Sequence, residues 1–225
     1  MTETTTTIDL GAHYARGRAR ITELVGALSI DELATPVAAC PGWSVADVVS
    51  HMTGIVEDAL AGRLSGPPDE TQTDEQVRRH RGRPIADVLA DWSASGPAFE
   101  DVLTSFQIWP ALIDVTTHEH DVRAALRRPG YRNDQAVDLT AIFMTEVLDL
   151  DELGVLTVTF PDARRFISGG IGPAIGLRTT PFEVLRLRLG RRTRDETLAL
   201  DWTGDPTQVL DRVFNFGPTE VSLGE

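Results

Sequence analysis

The sequence has no lysine, one cysteine and no long apolar run. Without lysine, the chain cannot form a Schiff base or supply the lysine of a phosphate-binding P-loop. The lone Cys40 cannot form an internal disulfide, which is typical of a reducing compartment. No stretch reaches the roughly 20 apolar residues that cross a bilayer, and the first residues lack the order of a signal peptide. We therefore expect a cytoplasmic protein with no membrane partner.

Positive charge is also scarce. The chain has 21 basic residues against 34 acidic ones, a formal net charge of −13, and the acidic residues are spread along its whole length. Because most of this surface would repel a phosphate backbone, the sequence argues against nucleic-acid binding. An apolar fraction of 41% over 225 residues can fill one large core or two small ones. The composition thus indicates globular domains and excludes a disordered or fibrous chain.

The first two thirds of the chain are predicted to be helical. Ser44 and Asp47 have the spacing of a capping box, which places a helix start near Val45. The polar residues 63–82, rich in Gly and Pro, are predicted to be an exposed loop followed by a charged helix start. The number of helices fits an up-and-down bundle. Apolar residues recur at helical spacing in five segments, which are residues 8–28, 45–62, 85–106, 110–128 and 135–150.

The hydrophobic pattern changes after Gly154. Residues 155–160 alternate and are rich in β-branched side chains, and the short segments RRFISGG and TLALDWTGD are also predicted to be strands. Between them, TPFEVLRLRLGRR has helical spacing. We therefore predict an α+β protein of two domains, a helical bundle over residues 1–151 and a small α+β domain over residues 152–225.

Three side chains on two of the predicted helices could hold a metal ion. His51 shares a stripe with Val48 and Ile55, so it points into the bundle. Asp114 and His118 lie one turn apart on a later helix and could chelate one ion. One ligand from one helix and two from another build a bundle metal site with an open position for water. The alternatives are a buried histidine satisfied by one hydrogen bond and a solvated Asp–His pair near a helix start.

Three neighbouring residues have weaker signals. Asp121 is expected to orient His118 through a hydrogen bond, and a salt bridge with Arg123 or Arg127 is the alternative. Cys40, in a turn, is interpreted as a small packed hydrophobe, and a reactive thiol is the alternative. Trp43 is expected to pack beneath the same turn.

Three segments resemble the mycothiol-dependent maleylpyruvate isomerases and their relatives. ACPGWSVADVVSH, residues 39–51, resembles a signature in which a CPGW turn precedes a helix ending in histidine. DVTTHEHDVRAAL, residues 114–126, resembles a second signature in which an acidic ligand stands four residues before a histidine. PFEVLRLRLGRR, with the later WTGDP, resembles the C-terminal domain of that family. The resemblance covers nearly the whole chain, and it implies a DinB-like four-helix bundle that binds zinc or another divalent ion through His51, Asp114 and His118.

The resemblance also implies an activity. It suggests an enzyme in which mycothiol, as co-substrate, adds to an electrophilic small molecule for isomerisation or S-transfer. Arg191 would hold an anionic group of the substrate, and a basic helix end is the simpler interpretation of that residue. In the isomerases the carboxylate ligand is usually glutamate, whereas Asp114 is one methylene shorter, so the backbone must approach the ion more closely. The alternatives are a metal-dependent hydrolase and a non-catalytic DinB-like binding or stress protein. A monomer or a homodimer is expected.

Overall fold

The computed structural model describes residues 8–224, which comprise a helical part and a smaller part with a mixed sheet. The chain divides into two compact units between Gly130 and Tyr131. Residues 1–7, where the sequence predicts no signal peptide, lie outside the described range. Within residues 8–224, no helix is long and apolar enough to cross a membrane.

The secondary-structure elements described for the first unit are all helices. Its elements are α1 (Leu10–Gly26), α2 (Ile30–Leu33), α3 (Val45–Leu60), α4 (Glu70–His80), α5 (Ile85–Phe106) and α6 (Trp109–Ala125). Helices α1 and α3 each pack against both α5 and α6, and α4 packs against α3. Tyr14, Trp92 and Phe99 fill part of the core, where the indole of Trp92 donates a hydrogen bond to the Tyr14 hydroxyl at 3.0 Å. The helix predicted over residues 85–106 is thus present as α5, with Trp92 and Phe99 buried.

The start signals of these helices are borne out by the structure. The Ser44 side chain accepts from the amide of Asp47, and the Asp47 side chain accepts from the amide of Ser44, so the predicted capping box is present. Pro110 lies in the first turn of α6. Residues 63–82 also have the predicted order, because a loop precedes α4.

The second unit combines one sheet with helices. Its elements are α7 (Gln135–Glu146), β1 (Val155–Thr159), β2 (Arg165–Ser168), β3 (Ala174–Arg178), α8 (Pro181–Arg188), α9 (Arg194–Leu198), β4 (Asp201–Thr203) and α10 (Leu210–Val213). The strand order is β2-β1-β3-β4, with β1 parallel to β3 and both outer pairs antiparallel. The alternating residues Leu156, Val158, Ile175 and Leu177 face the core. Strand β3 is missing from the sequence prediction, because Gly176 and the glycine-rich stretch before it obscure the alternation.

The predicted boundary near residue 151 coincides with the change in secondary structure, since α7 ends at Glu146 and β1 begins at Val155. The compact units instead divide at residue 130, because α7 packs against α8 and β2. The division into domains 1–151 and 152–225 stays a prediction, and limited proteolysis would show which segments fold independently.

Candidate metal centre

His51, Asp114 and His118 bring three ligand atoms together between α3 and α6. Asp114 Oδ1 lies 3.5 Å from His51 Nε2 and 3.4 Å from His118 Nε2. The three ligand atoms all lie within 4.8 Å of one another. Two ligand atoms that bind one tetrahedral zinc at about 2.0–2.1 Å are about 3.3–3.4 Å apart. The spacing between the Asp114 carboxylate and each imidazole therefore fits a shared divalent ion.

The three side chains differ in exposure. His51 and His118 are nearly buried, with side-chain exposures of 5% and 10%, whereas Asp114 keeps 27%. The carboxylate thus forms the solvent side of the cluster. Although Asp114 is shorter than the expected glutamate, it reaches both imidazoles, because it stands directly one helical turn before His118. The structure brings the three predicted residues together, and their binding of a metal stays a proposal.

The charges at this centre are strongly coupled. Burial would raise the pKa of Asp114, but the charge of His118 and hydrogen bonds from both histidines outweigh it and hold that pKa well below its usual range. Burial would likewise lower the pKa of His118, but Asp114 and a hydrogen bond to Asp121 raise it well above its ordinary value. The cluster therefore attracts positive charge, and a metal would compete with a proton for His118.

Each histidine is oriented by a hydrogen bond at Nδ1, the ring nitrogen that is not directed at Asp114. His118 Nδ1 lies 3.1 Å from Asp121 Oδ2, and His51 Nδ1 lies 2.9 Å from Gln76 Oε1. This arrangement directs Nε2 of both rings toward Asp114. Hydrogen bonds of this kind fix the tautomer and orientation of metal-binding imidazoles. The donor set and its support therefore fit a divalent cation such as zinc.

Gln76 is the site residue that sequence reasoning missed. It lies on α4, in the polar segment predicted to be a loop and a charged helix start, yet it is fully buried. The pattern offers only an indirect signal, because Gln76, Val77 and His80 share one buried face of α4. Gly54, on the facing helix α3, marks the place where α4 comes close.

The CPGW turn covers one side of the centre. Gly42 has a φ of +85°, which favours glycine, and it ends the turn before Trp43. The Trp43 ring lies 5.1 Å from the His51 ring and 6.4 Å from the His118 ring, measured between centroids. Trp43 thus packs against the two histidines. Cys40 is half-buried, and its Sγ lies 3.8 Å from His118 Nδ1, so it contacts the centre as well as packing in the turn.

The expected substrate-binding residue, Arg191, belongs to the second unit. It follows α8, is half-buried, and donates from one terminal nitrogen to the carbonyl of Leu189 at 2.6 Å. Its role toward a substrate stays a prediction.

A second acidic and histidine cluster occurs in the first unit at Glu57, His80 and Asp91. Two arginines already neutralise it, because Arg79 binds Glu57 at 2.7 Å and Arg83 binds Asp91 at 2.7 Å. We interpret this cluster as an ion-pair network.

Comparison with known proteins gives consistent matches. Residues 14–140 match the sequence family described as the mycothiol maleylpyruvate isomerase N-terminal domain. A crystal structure of the mycothiol-dependent maleylpyruvate isomerase has a TM-score of 0.51 at 13% identity, covering 81% of this chain and 88% of that one. The crystal structure of a mutant of that isomerase has a TM-score of 0.49 at 13% identity, covering 80% of this chain and 88% of that one. No curated protein shows a significant match. The first structural match shows a similar fold.

Proposed function

Because this chain belongs to the family of the mycothiol maleylpyruvate isomerase N-terminal domain, we propose that it is a divalent-metal-dependent enzyme with mycothiol as co-substrate. Its reaction would be isomerisation of, or S-transfer to, an electrophilic small molecule. The observation that carries this proposal is the placement of Asp114 Oδ1 at 3.4–3.5 Å from Nε2 of both His51 and His118.

Each residue of the centre has a specific task. Nε2 of His51, Nε2 of His118 and Oδ1 of Asp114 would hold the ion, and zinc suits two imidazoles and one carboxylate. When bound, the ion would lower the pKa of a thiol and so favour the nucleophilic thiolate at neutral pH. The negative charge of Asp114 offsets part of the positive charge at the centre. The Trp43 indole packs against the two imidazoles and would exclude water from that side.

The proposal extends to the surrounding fold. The four long helices α1, α3, α5 and α6 would form the DinB-like up-and-down four-helix bundle, which is supported by the packing of α1 and α3 against both α5 and α6. Domains 1–151 and 152–225 would be the folding units. In keeping with its single cysteine, the enzyme would be cytoplasmic, and it would act as a monomer or homodimer.

Arg191 is the residue we propose for binding an anionic group of the substrate. A guanidinium is always charged and can bind a carboxylate with two parallel hydrogen bonds, which lysine cannot do. Arg191→Lys should therefore raise KM for an anionic substrate while leaving kcat for a neutral electrophile unchanged. Equal kinetics of Arg191→Lys and wild type on both substrates would remove the residue from this role.

The activity is tested with metal-loaded protein, mycothiol and a panel of electrophiles that begins with maleylpyruvate. An isomerase yields rearranged product and returns the thiol, whereas an S-transferase yields a thiol conjugate. Product formation that is equally fast without mycothiol would contradict the proposal, and a hydrolysed product would then indicate a hydrolase. A protein that gives no product with any electrophile would be a non-catalytic binder. His51→Ala, measured in parallel, shows whether turnover depends on the centre.

A further inference from the structure

We infer that Gln76 is a positioning residue that fixes the tautomer of His51 and so directs its Nε2 toward Asp114 and His118. This inference rests on the proposed function, because it gives Gln76 a role in metal binding. It also makes α4, the most polar helix of the first unit, part of the metal centre.

A chain of hydrogen bonds leads from the centre to a buried carboxylate. His51 Nδ1 and Gln76 Oε1 are 2.9 Å apart, and Gln76 Nε2 donates to Asp58 Oδ2 at 2.9 Å. Asp58 in turn accepts from Arg79 at 2.8 Å and from Arg63 at 2.7 Å. The Gln76 amide therefore has a hydrogen-bond partner at both ends, and Asp58, which can only accept, sets its orientation.

The two partners explain why a glutamine stands here. An ionised Asp58 only accepts hydrogen bonds, so it orients the amide nitrogen of Gln76 toward itself and the amide oxygen toward His51. Burial would raise the pKa of Asp58, but hydrogen bonds from Gln76, Arg63 and Arg79 outweigh it and keep the carboxylate charged. An oxygen that faces Nδ1 requires a proton on Nδ1. In the neutral imidazole that would bind a metal, Nε2 is then the unprotonated nitrogen, and it points toward the centre.

The two histidines are consequently supported in different ways. His118 is held directly by the Asp121 carboxylate, whereas a neutral amide stands between His51 and the charge of Asp58. If a carboxylate stood in place of the Gln76 amide, it would add a further negative charge to those of Asp114 and Asp121. The amide gives His51 the same orientation without that charge.

Gly54 is the local feature that permits this contact. A Cβ at position 54 would lie 2.6 Å from the Cβ and 2.8 Å from the Cγ of Gln76. Glycine at this position of α3 therefore lets α4 approach until Gln76 reaches His51, one turn earlier on α3. The close contact at Gly54 thus lies within one turn of a proposed ligand, His51.

The test compares three variants with the intact protein. Gln76→Met keeps the side-chain length but removes both hydrogen bonds. Gln76→Glu combined with Asp58→Asn exchanges amide and carboxylate, so that an acceptor still faces His51 and a donor still links the two side chains. Thr53→Val is the matched control, because it removes another buried hydrogen bond of α3, from the Thr53 hydroxyl to the Val49 carbonyl.

Two readouts are needed, and neither is activity. Zinc affinity is measured by competition with a chelator, and the His51 tautomer is measured by nitrogen-15 NMR of the metal-free protein under alkaline conditions. We expect Gln76→Met to weaken zinc binding about 10- to 100-fold and to lose the single Nδ1–H tautomer. The exchanged double variant should restore both readouts, and Thr53→Val should match wild type in both.

The outcomes separate this inference from the proposed function. Unchanged zinc affinity and an unchanged tautomer in Gln76→Met would overturn the role of Gln76. Failure of the double variant to restore either readout would reduce Gln76 to a packing residue and also overturn it. If wild type itself binds no zinc, the proposed function fails, whereas the tautomer of His51 still tests the hydrogen-bond chain.

Discussion

Replacing Gly54 by alanine should damage both the stability and the metal centre of this protein. Alanine favours a helix interior over glycine by about 1 kcal/mol, so propensity alone predicts a gain. The added Cβ would, however, lie 2.6 Å from the Cβ of Gln76. Carbon atoms pack at about 3.5–4.0 Å, so α4 must move away by about 1 Å. Overpacking of this kind costs about 1–3 kcal/mol, and the net change should be a loss of up to about 2 kcal/mol.

The same displacement should weaken the centre. The bond between His51 Nδ1 and Gln76 Oε1 is 2.9 Å long, and a movement of about 1 Å takes it beyond the limit of a hydrogen bond. Urea denaturation of the metal-free protein measures the loss of stability, and chelator competition measures the loss of zinc affinity. Gly17→Ala on α1 is the control, because its Cβ would meet Val115 at 3.5 Å and Arg20 at 4.0 Å, which are ordinary contacts. That variant should be neutral or more stable. A Gly54→Ala protein that matches Gly17→Ala in stability and wild type in zinc affinity would refute this reasoning.

Three further predictions concern the charges of the first unit. Asp114→Asn should weaken zinc binding without unfolding the protein, because the two side chains are isosteric, whereas Asp114→Glu should retain the metal. Equal zinc affinity of wild type and Asp114→Asn, measured by chelator competition, would remove Asp114 from the centre. Because the pKa of His118 is raised, its proton competes with the metal, so zinc affinity should rise as the pH is increased through that pKa, and a pH-independent affinity would contradict the assignment. Glu119 is fully buried and forms salt bridges with Arg20 at 2.6 Å and with Arg123 at 3.0 Å. Glu119→Gln should therefore lower the free energy of unfolding, measured by urea denaturation, by about 3–5 kcal/mol. A loss below about 1 kcal/mol would show that the arginines find other partners.

Much of the centre could be predicted from local sequence. Helical periodicity is enough to orient His51 inward, and a spacing of four places Asp114 and His118 on one face. The capping box at Ser44 and Asp47 fixes where α3 begins. These features depend on residues within a few turns of one another, which is why the sequence displays them.

The support of the centre could not be predicted in the same way. Gln76 lies 25 residues from His51 in a segment whose charged residues indicate exposure, and its burial depends on the packing of α4 against α3. Strand β3 was missed because it gains its hydrogen bonds from β1 and β4, whereas its own residues include Gly176. The boundary between compact units is equally nonlocal, since it depends on where α7 packs.

The most direct test of the metal centre is the metal content of purified His51→Ala and His118→Ala, measured by elemental analysis beside wild type. His120→Ala serves as the matched control, because His120 is a buried histidine of α6 outside the cluster of potential ligands. We predict stoichiometric metal in wild type and His120→Ala, and its loss from the other two variants while circular dichroism shows that they remain folded. Stoichiometric metal in either His51→Ala or His118→Ala would contradict the centre described above.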